Sequence, residues 1–166
     1  MCGTGGRALS TFEYFLELSK FLSQREVIVL VGVSERQMRV LPKNIIGIKR
    51  TNSPEELAQI YTAADVFLNP TLEDNYPTVN LEAQACGTFV VTFDSGGSAE
   101  TVISEESGIV LRKKSVEEIH GVLRRFGKKE DVFEKVSERL NEISTEAFTQ
   151  RYLALYQSLK NQEDSM

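Results

Sequence analysis

One histidine, two cysteines, no tryptophan and fewer basic than acidic residues set the first limits on this chain of 166 residues. The lone His120 excludes the HExxH pair of zinc proteases and any centre built from several imidazoles. Cys2 and Cys86 lie far apart with no CxxC pair, so neither a zinc site nor a disulfide framework is expected, and a reducing cytoplasm suits the chain best. With 19 Lys and Arg against 24 Asp and Glu, the net charge of -5 argues against broad binding to nucleic acid or anionic membrane, which need surplus cations. The longest apolar run, Val27 to Val31 and on through Gly32 to Val33, is far short of the ~20 residues of a membrane span. Met1 to Arg7 lacks the apolar stretch of a secretory signal.

What is present is an ordinary globular composition, 41% apolar, sized for one core rather than two lobes. Residues 1–160 read as a single domain and 161–166 as a disordered polar tail. Short β-branched runs alternate with helical patterns in the order αβαβαβαβαβ, followed by helices. Strands are expected at Val27–Val31, Ile45–Ile48, Val66–Leu68, Phe89–Thr92 and Ile109–Leu111. Capping boxes at Ser10–Glu13, Ser53–Glu56 and Ser115–Glu118 open helices, the second reinforced by Pro54 at its first position. The first helix is expected to reach Ser23, with Phe12, Phe15, Leu16 and Leu22 buried and Ser19 interrupting that stripe. Leu57, Ile60, Tyr61 and Ala64 form the inner face of the next, Thr78–Cys86 is stopped by Gly87, and Ser98–Ile103 is a short helix. Three helices then run to about Lys160, the last with a stripe of Phe148, Tyr152, Leu155, Tyr156 and Leu159. Continuously apolar strands separated by helices predict a parallel sheet covered on both faces, a doubly wound Rossmann-like α/β fold of about five strands.

Ligands of such a sheet bind beyond the carboxyl ends of its strands, so the loops leaving the third and fourth strands are the places for chemistry. The first, Asn69 to Pro77, sets two carboxylates and a proline just before a helix; the second is Phe93-Asp94-Ser95-Gly96-Gly97-Ser98. Free amides at Thr78 and Val79 would offer a helix N-terminus to an anion such as a diphosphate. Glu82, about one turn on, can face the same crevice as Asp74, a carboxylate pair suited to sugar or ribose hydroxyls. Each has a plainer reading: Asp74 as a cap or dipole partner, Glu82 as a solvated helix residue, Gly96-Gly97 as a turn. His120 reads as a surface helix residue and Cys86 as a small buried apolar one. The GxGxxA spelling of Gly3 to Ala8 is rejected as a dinucleotide motif because only two residues precede it.

Ser53-Pro54-Glu55-Glu56-Leu57, Ala63 to Pro70 and Glu73 to Gly87, continuing through Val90-Val91 and Gly96-Gly97-Ser98-Ala99-Glu100, resemble the donor-binding half of group 1 glycosyltransferases. Tyr152 to Tyr156 is similar to that family's closing helix, and the likeness spans about 120 residues. It implies the C-terminal lobe of a GT-B fold, with a nucleotide sugar as substrate, no cofactor or metal, and the acceptor held by a lobe absent from this chain. It also implies transfer with retention at the anomeric carbon, the leaving phosphate helping to deprotonate the acceptor hydroxyl, in polysaccharide or glycoconjugate biosynthesis.

On the same resemblance, Glu82 is the second acid of the E-x7-E motif and holds the ribose, while Asp74 stands in place of the first glutamate, which contacts the donor sugar; these are the candidate catalytic residues. Thr78 and Val79 face the diphosphate through their amides, Arg50 and Thr51 border the base, and Asn75, Tyr76, Pro77, Gly96 and Gly97 count with them as substrate-binding candidates. Two departures stand out. Ser10 occupies the place of the family's lysine, leaving Arg7 as the only cation nearby, and Met1 to Ala8 has no β-branched run to serve as the family's first strand. That strand is central in the order 3-2-1-4-5-6, so without it two strands are expected to keep unpaired backbone groups or the sheet to rearrange. The expectation is of a truncated chain with weak or no transfer activity alone. The rival reading is a non-catalytic nucleotide-sugar-binding or assembly module; a nicotinamide oxidoreductase fails for want of a strand before Gly3.

Overall fold

A computed structural model describes residues 9–125 together with 149, 150 and 153. Within it, α1 (Thr11–Ser19), β1 (Ile28–Val31), α2 (Glu35–Met38), β2 (Ile45–Ile48), α3 (Pro54–Ala63), β3 (Val66–Asn69), α4 (Thr78–Ala85), β4 (Phe89–Phe93), a 3-10 turn (Ser98–Thr101), β5 (Gly108–Leu111) and α5 (Val116–Arg125) follow one another. The expected strands fall in place within one residue at each end. The expected order includes a helix between β1 and β2 but no bounds for it; it is the single turn α2, closed by a Ser34–Gln37 capping box. Of the helices expected beyond α5, only Thr149, Gln150 and Leu153 are described, all helical; the stripe of Phe148, Tyr152, Leu155, Tyr156 and Leu159 lies outside the described residues, as do Arg7 and Cys2.

Every strand pairing among the described residues is parallel, but the strands form two ladders rather than one sheet: β1 with β2, and β3-β4-β5. In the order 3-2-1-4-5-6 these are the parts flanking the central strand. Among the described residues no strand lies between them, so β1 and β3 are each hydrogen-bonded along one side only.

Helix α1 ties the two ladders together. Tyr14 and Leu18 join Val91, Phe93, Leu111, Val116, Ile119 and Val122 in the main core, while Phe12, Phe15 and Leu16 pack on Leu30, Val33 and Ile45. Ile28 belongs to both groups. The buried surface of α1 is thus wider than the expected stripe, and Ser19 is part of it rather than a break. Its hydroxyl donates to the Leu16 carbonyl at 2.7 Å, a local bond that competes with the helical ladder. The helix ends there, four residues short of Ser23. Coverage also differs between ladders. β4 is almost wholly buried, whereas Val29, Val31 and Ile46 of the first ladder and Ile109 of β5 are exposed, so the two-sided burial expected for the whole sheet holds for β4 alone.

Candidate functional site

The carboxyl end of β2 and the facing surfaces of α3 and α4 enclose a cleft of about 630 Å³, lined by Arg50, Thr51, Asn52, Ser53, Pro54, Leu57, Tyr61, Glu82 and Cys86 among others. The turn at its mouth is held by the start of α3. The Ser53 hydroxyl accepts from the Glu56 amide at 3.3 Å, and the Glu56 carboxylate accepts from the Asn52 amide at 2.7 Å, one residue earlier than the expected capping box would reach. Pro54 fixes the first helical φ.

Inside the cleft, the Tyr61 hydroxyl donates to Glu82 Oε2 at 3.3 Å. Tyr61 is buried, its ring edge-on to Phe67 at 5.3 Å, while Glu82 is exposed toward solvent. Burial, and then the neighbouring Glu82 carboxylate, push the Tyr61 phenol above its ordinary range. It therefore remains a hydrogen-bond donor at neutral pH. Cys86, expected to be an interior apolar residue, is only partly buried and forms part of the wall.

The second group of residues surrounds the loop after β3. Asp74 does not cap α4; its Oδ1 accepts from the Tyr76 amide at 3.1 Å, an Asx turn that bends the chain toward Pro77. The loop rests on the glycine pair. Gly97 donates its amide to the Asp74 carbonyl at 3.1 Å, and a Cβ at Gly97 would lie 2.0 Å from the Asn75 carbonyl oxygen. Ser95 Oγ adds a bond to the Thr71 carbonyl at 2.8 Å. Gly96 and Gly97 thus permit a backbone-to-backbone approach that side chains would block, at the point where the two loops meet.

Among the described α-helices with an assigned cap residue, α4 alone has no side-chain cap: Pro77 precedes it, and Thr78 and Val79 are exposed. Its orientation comes from a buried polar network instead. Asn69 Nδ2 donates to Asn80 Oδ1 at 3.0 Å, and Asn80 Nδ2 to Thr101 Oγ1 at 2.8 Å. Gln84 Nε2 donates to the carbonyls of Asn80 and Thr101, while its Oε1 accepts from the Ile103 amide and Ser107 Oγ, all at 2.7–2.9 Å. With both amide donors and the carbonyl oxygen of Gln84 engaged, this network holds α4 against β3 and the 3-10 turn, and so aims its amino end.

The structure therefore brings Arg50, Thr51 and Glu82 into one cleft, and Asp74, Asn75, Tyr76, Gly96 and Gly97 into one loop cluster leading to Pro77, Thr78 and Val79. Asp74 does not line the cleft that holds Glu82. Two contributors were not singled out from the sequence. Tyr61 could have been, because a tyrosine on a buried helical face needs a partner for its hydroxyl. Lys114 Nζ lies 3.4 Å from the Leu72 carbonyl, bringing a cation beside the loop; no local pattern marks it, since the two residues are 42 apart.

Comparison with known proteins agrees with this arrangement. The family described as "Glycosyl transferases group 1" matches residues 20–147. The D-inositol 3-phosphate glycosyltransferase of Corynebacterium diphtheriae is 32% identical over 111 residues, covering 67% of this chain and 22% of that protein. The enzyme of the same name from Rhodococcus erythropolis is 37% identical over 71 residues, 43% of this chain and 16% of that one. The chain thus spans about a fifth of these relatives. Sucrose-phosphate synthase from Thermosynechococcus elongatus superposes with a TM-score of 0.73 at 24% identity, over 92% of this chain and 43% of that one. The fold is that of a Rossmann-like GT-B lobe, and the chain belongs to the group 1 glycosyltransferases.

Proposed function

We propose that this chain forms the donor side of a retaining glycosyltransferase and binds a nucleotide sugar, the nucleoside in the cleft of Glu82 and the diphosphate at the amino end of α4. The observation that supports this most is the cleft itself, where an accessible carboxylate on α4 stands opposite the Arg50–Thr51 turn. A carboxylate accepts two hydroxyls of a vicinal diol, and the turn offers backbone and guanidinium donors for a base. The uncapped first turn of α4 suits the diphosphate, on which negative charge grows as the glycosidic bond breaks.

In the proposed reaction the acceptor oxygen forms its bond to the anomeric carbon on the face the diphosphate leaves, and the acceptor proton passes to the departing phosphate oxygen. Asp74 meets the sugar, and Lys114 supplements the phosphate charge where Ser10 replaces the family's lysine. The acceptor is bound by a second lobe, and the product is a polysaccharide or glycoconjugate. Crystals soaked with UDP- or GDP-sugars test the reading: nucleotide density between Arg50 and Glu82 supports it, and density elsewhere or none refutes it.

A further inference from the structure

We propose that Tyr61 is a positioning residue for ligand recognition, holding Glu82 so that one carboxylate oxygen is committed to the protein and the other is presented to a ribose diol. The inference rests on the nucleotide reading of the cleft and adds a residue to it.

Glu82 is exposed on α4, where a glutamate side chain would otherwise sample many rotamers. Tyr61 is 8% exposed and fixed on three sides: its ring meets Phe67 edge-on, its carbonyl accepts from Thr88 Oγ1, and its side chain packs with Ala83 and Val90. From this rigid mount its hydroxyl reaches Glu82 Oε2. No bond to Glu82 Oε1 occurs among the described residues, which leaves that oxygen available to a ligand hydroxyl in the cleft. The phenol, pushed above its ordinary range by burial, stays a donor to that carboxylate through Oε2. A purely packing role would be served equally well by phenylalanine; orientation of Glu82 would not.

The test is a double-mutant cycle by calorimetry with UDP or GDP, whichever wild type binds more tightly, and with the corresponding 2′,3′-dideoxynucleotide. Tyr61→Phe is expected to weaken the ribonucleotide about five- to tenfold, the scale of one lost hydrogen bond to a charged group. It should leave the dideoxy compound unaffected, and add little in the Glu82→Gln background. Equal losses for both compounds, a fully additive cycle, or no effect of Tyr61→Phe alongside a weakened Glu82→Gln would overturn the positioning role while leaving the cleft assignment standing. Unchanged binding in Glu82→Gln would overturn both. A second measurement needs no tyrosine variant to fold: with 13Cζ-labelled tyrosine, the Tyr61 signal is expected to move in Glu82→Gln and on adding nucleotide, and a signal that moves in neither contradicts the proposal.

Discussion

The amide of Gly97 donates to the Asp74 carbonyl at 3.1 Å, and a Cβ on the adjacent Gly96 would stand 2.0 Å from that same oxygen. The two loops that follow β3 and β4 therefore touch backbone to backbone. Gly96 also has φ 52°, in the left-handed region. Gly96→Ala and Gly97→Ala are each expected to destabilise the fold by about 1–3 kcal/mol through overpacking, read as a lower urea midpoint. An unchanged midpoint would show that the loops can separate at no cost.

Gln84 is the hub of the polar network behind α4. Replacing it with leucine removes four hydrogen bonds to Asn80, Thr101, Ile103 and Ser107 without opening much volume. At about 1 kcal/mol for each, the expected loss is about 3–4 kcal/mol in chemical denaturation. Hydrophobic substitution that leaves stability unchanged would mean the network only specifies orientation.

The contrast between these two cases shows what could be read from sequence. Strand positions were legible because continuous apolar runs have few alternatives, and helix starts because Ser10, Ser53 and Ser115 carry their caps locally. The Asn69 to Gly87 signature likewise marked the loop and helix that carry Asp74 and Glu82. Asn80 and Gln84, polar on a buried face, need partners from β3 and the 3-10 turn, which no local spacing reveals. The burial of Ser19 is equally non-local: Asn44, 25 residues away, donates its Nδ2 to the Ser19 carbonyl at 2.7 Å. Nor could the sequence separate Asp74 from Glu82, since whether a helix residue joins a loop carboxylate depends on how α4 rotates against α3.

Alkaline titration offers an independent handle. Burial raises the phenols of Tyr14 and Tyr61 above their ordinary range. Above about pH 10 the unfolded chain loses these protons while the folded chain keeps them, so the stabilisation present below that pH declines as pH rises further. Thermal melts in wild type should fall steeply above about pH 10. Tyr61→Phe should flatten part of that decline without altering the profile near neutrality; an identical slope in the variant would contradict the assignment.

Asp74 permits a separation of fold from charge. Asparagine can keep the oxygen that accepts from the Tyr76 amide, so Asp74→Asn should preserve the turn and the melting temperature. If the carboxylate meets the donor sugar, the variant's affinity for a nucleotide sugar should drop about tenfold toward that for the bare nucleoside diphosphate, as expected for one charged hydrogen bond. A parallel loss for both ligands would place Asp74 away from the sugar.

The most direct measurement is a calorimetric titration of UDP, GDP and their sugars into wild type and Glu82→Ala. The account predicts saturable binding of at least one nucleotide by wild type and a loss of about tenfold or more in the variant, the scale of hydrogen bonds to a charged acceptor. Equal binding by the two proteins, or none by either, would contradict it.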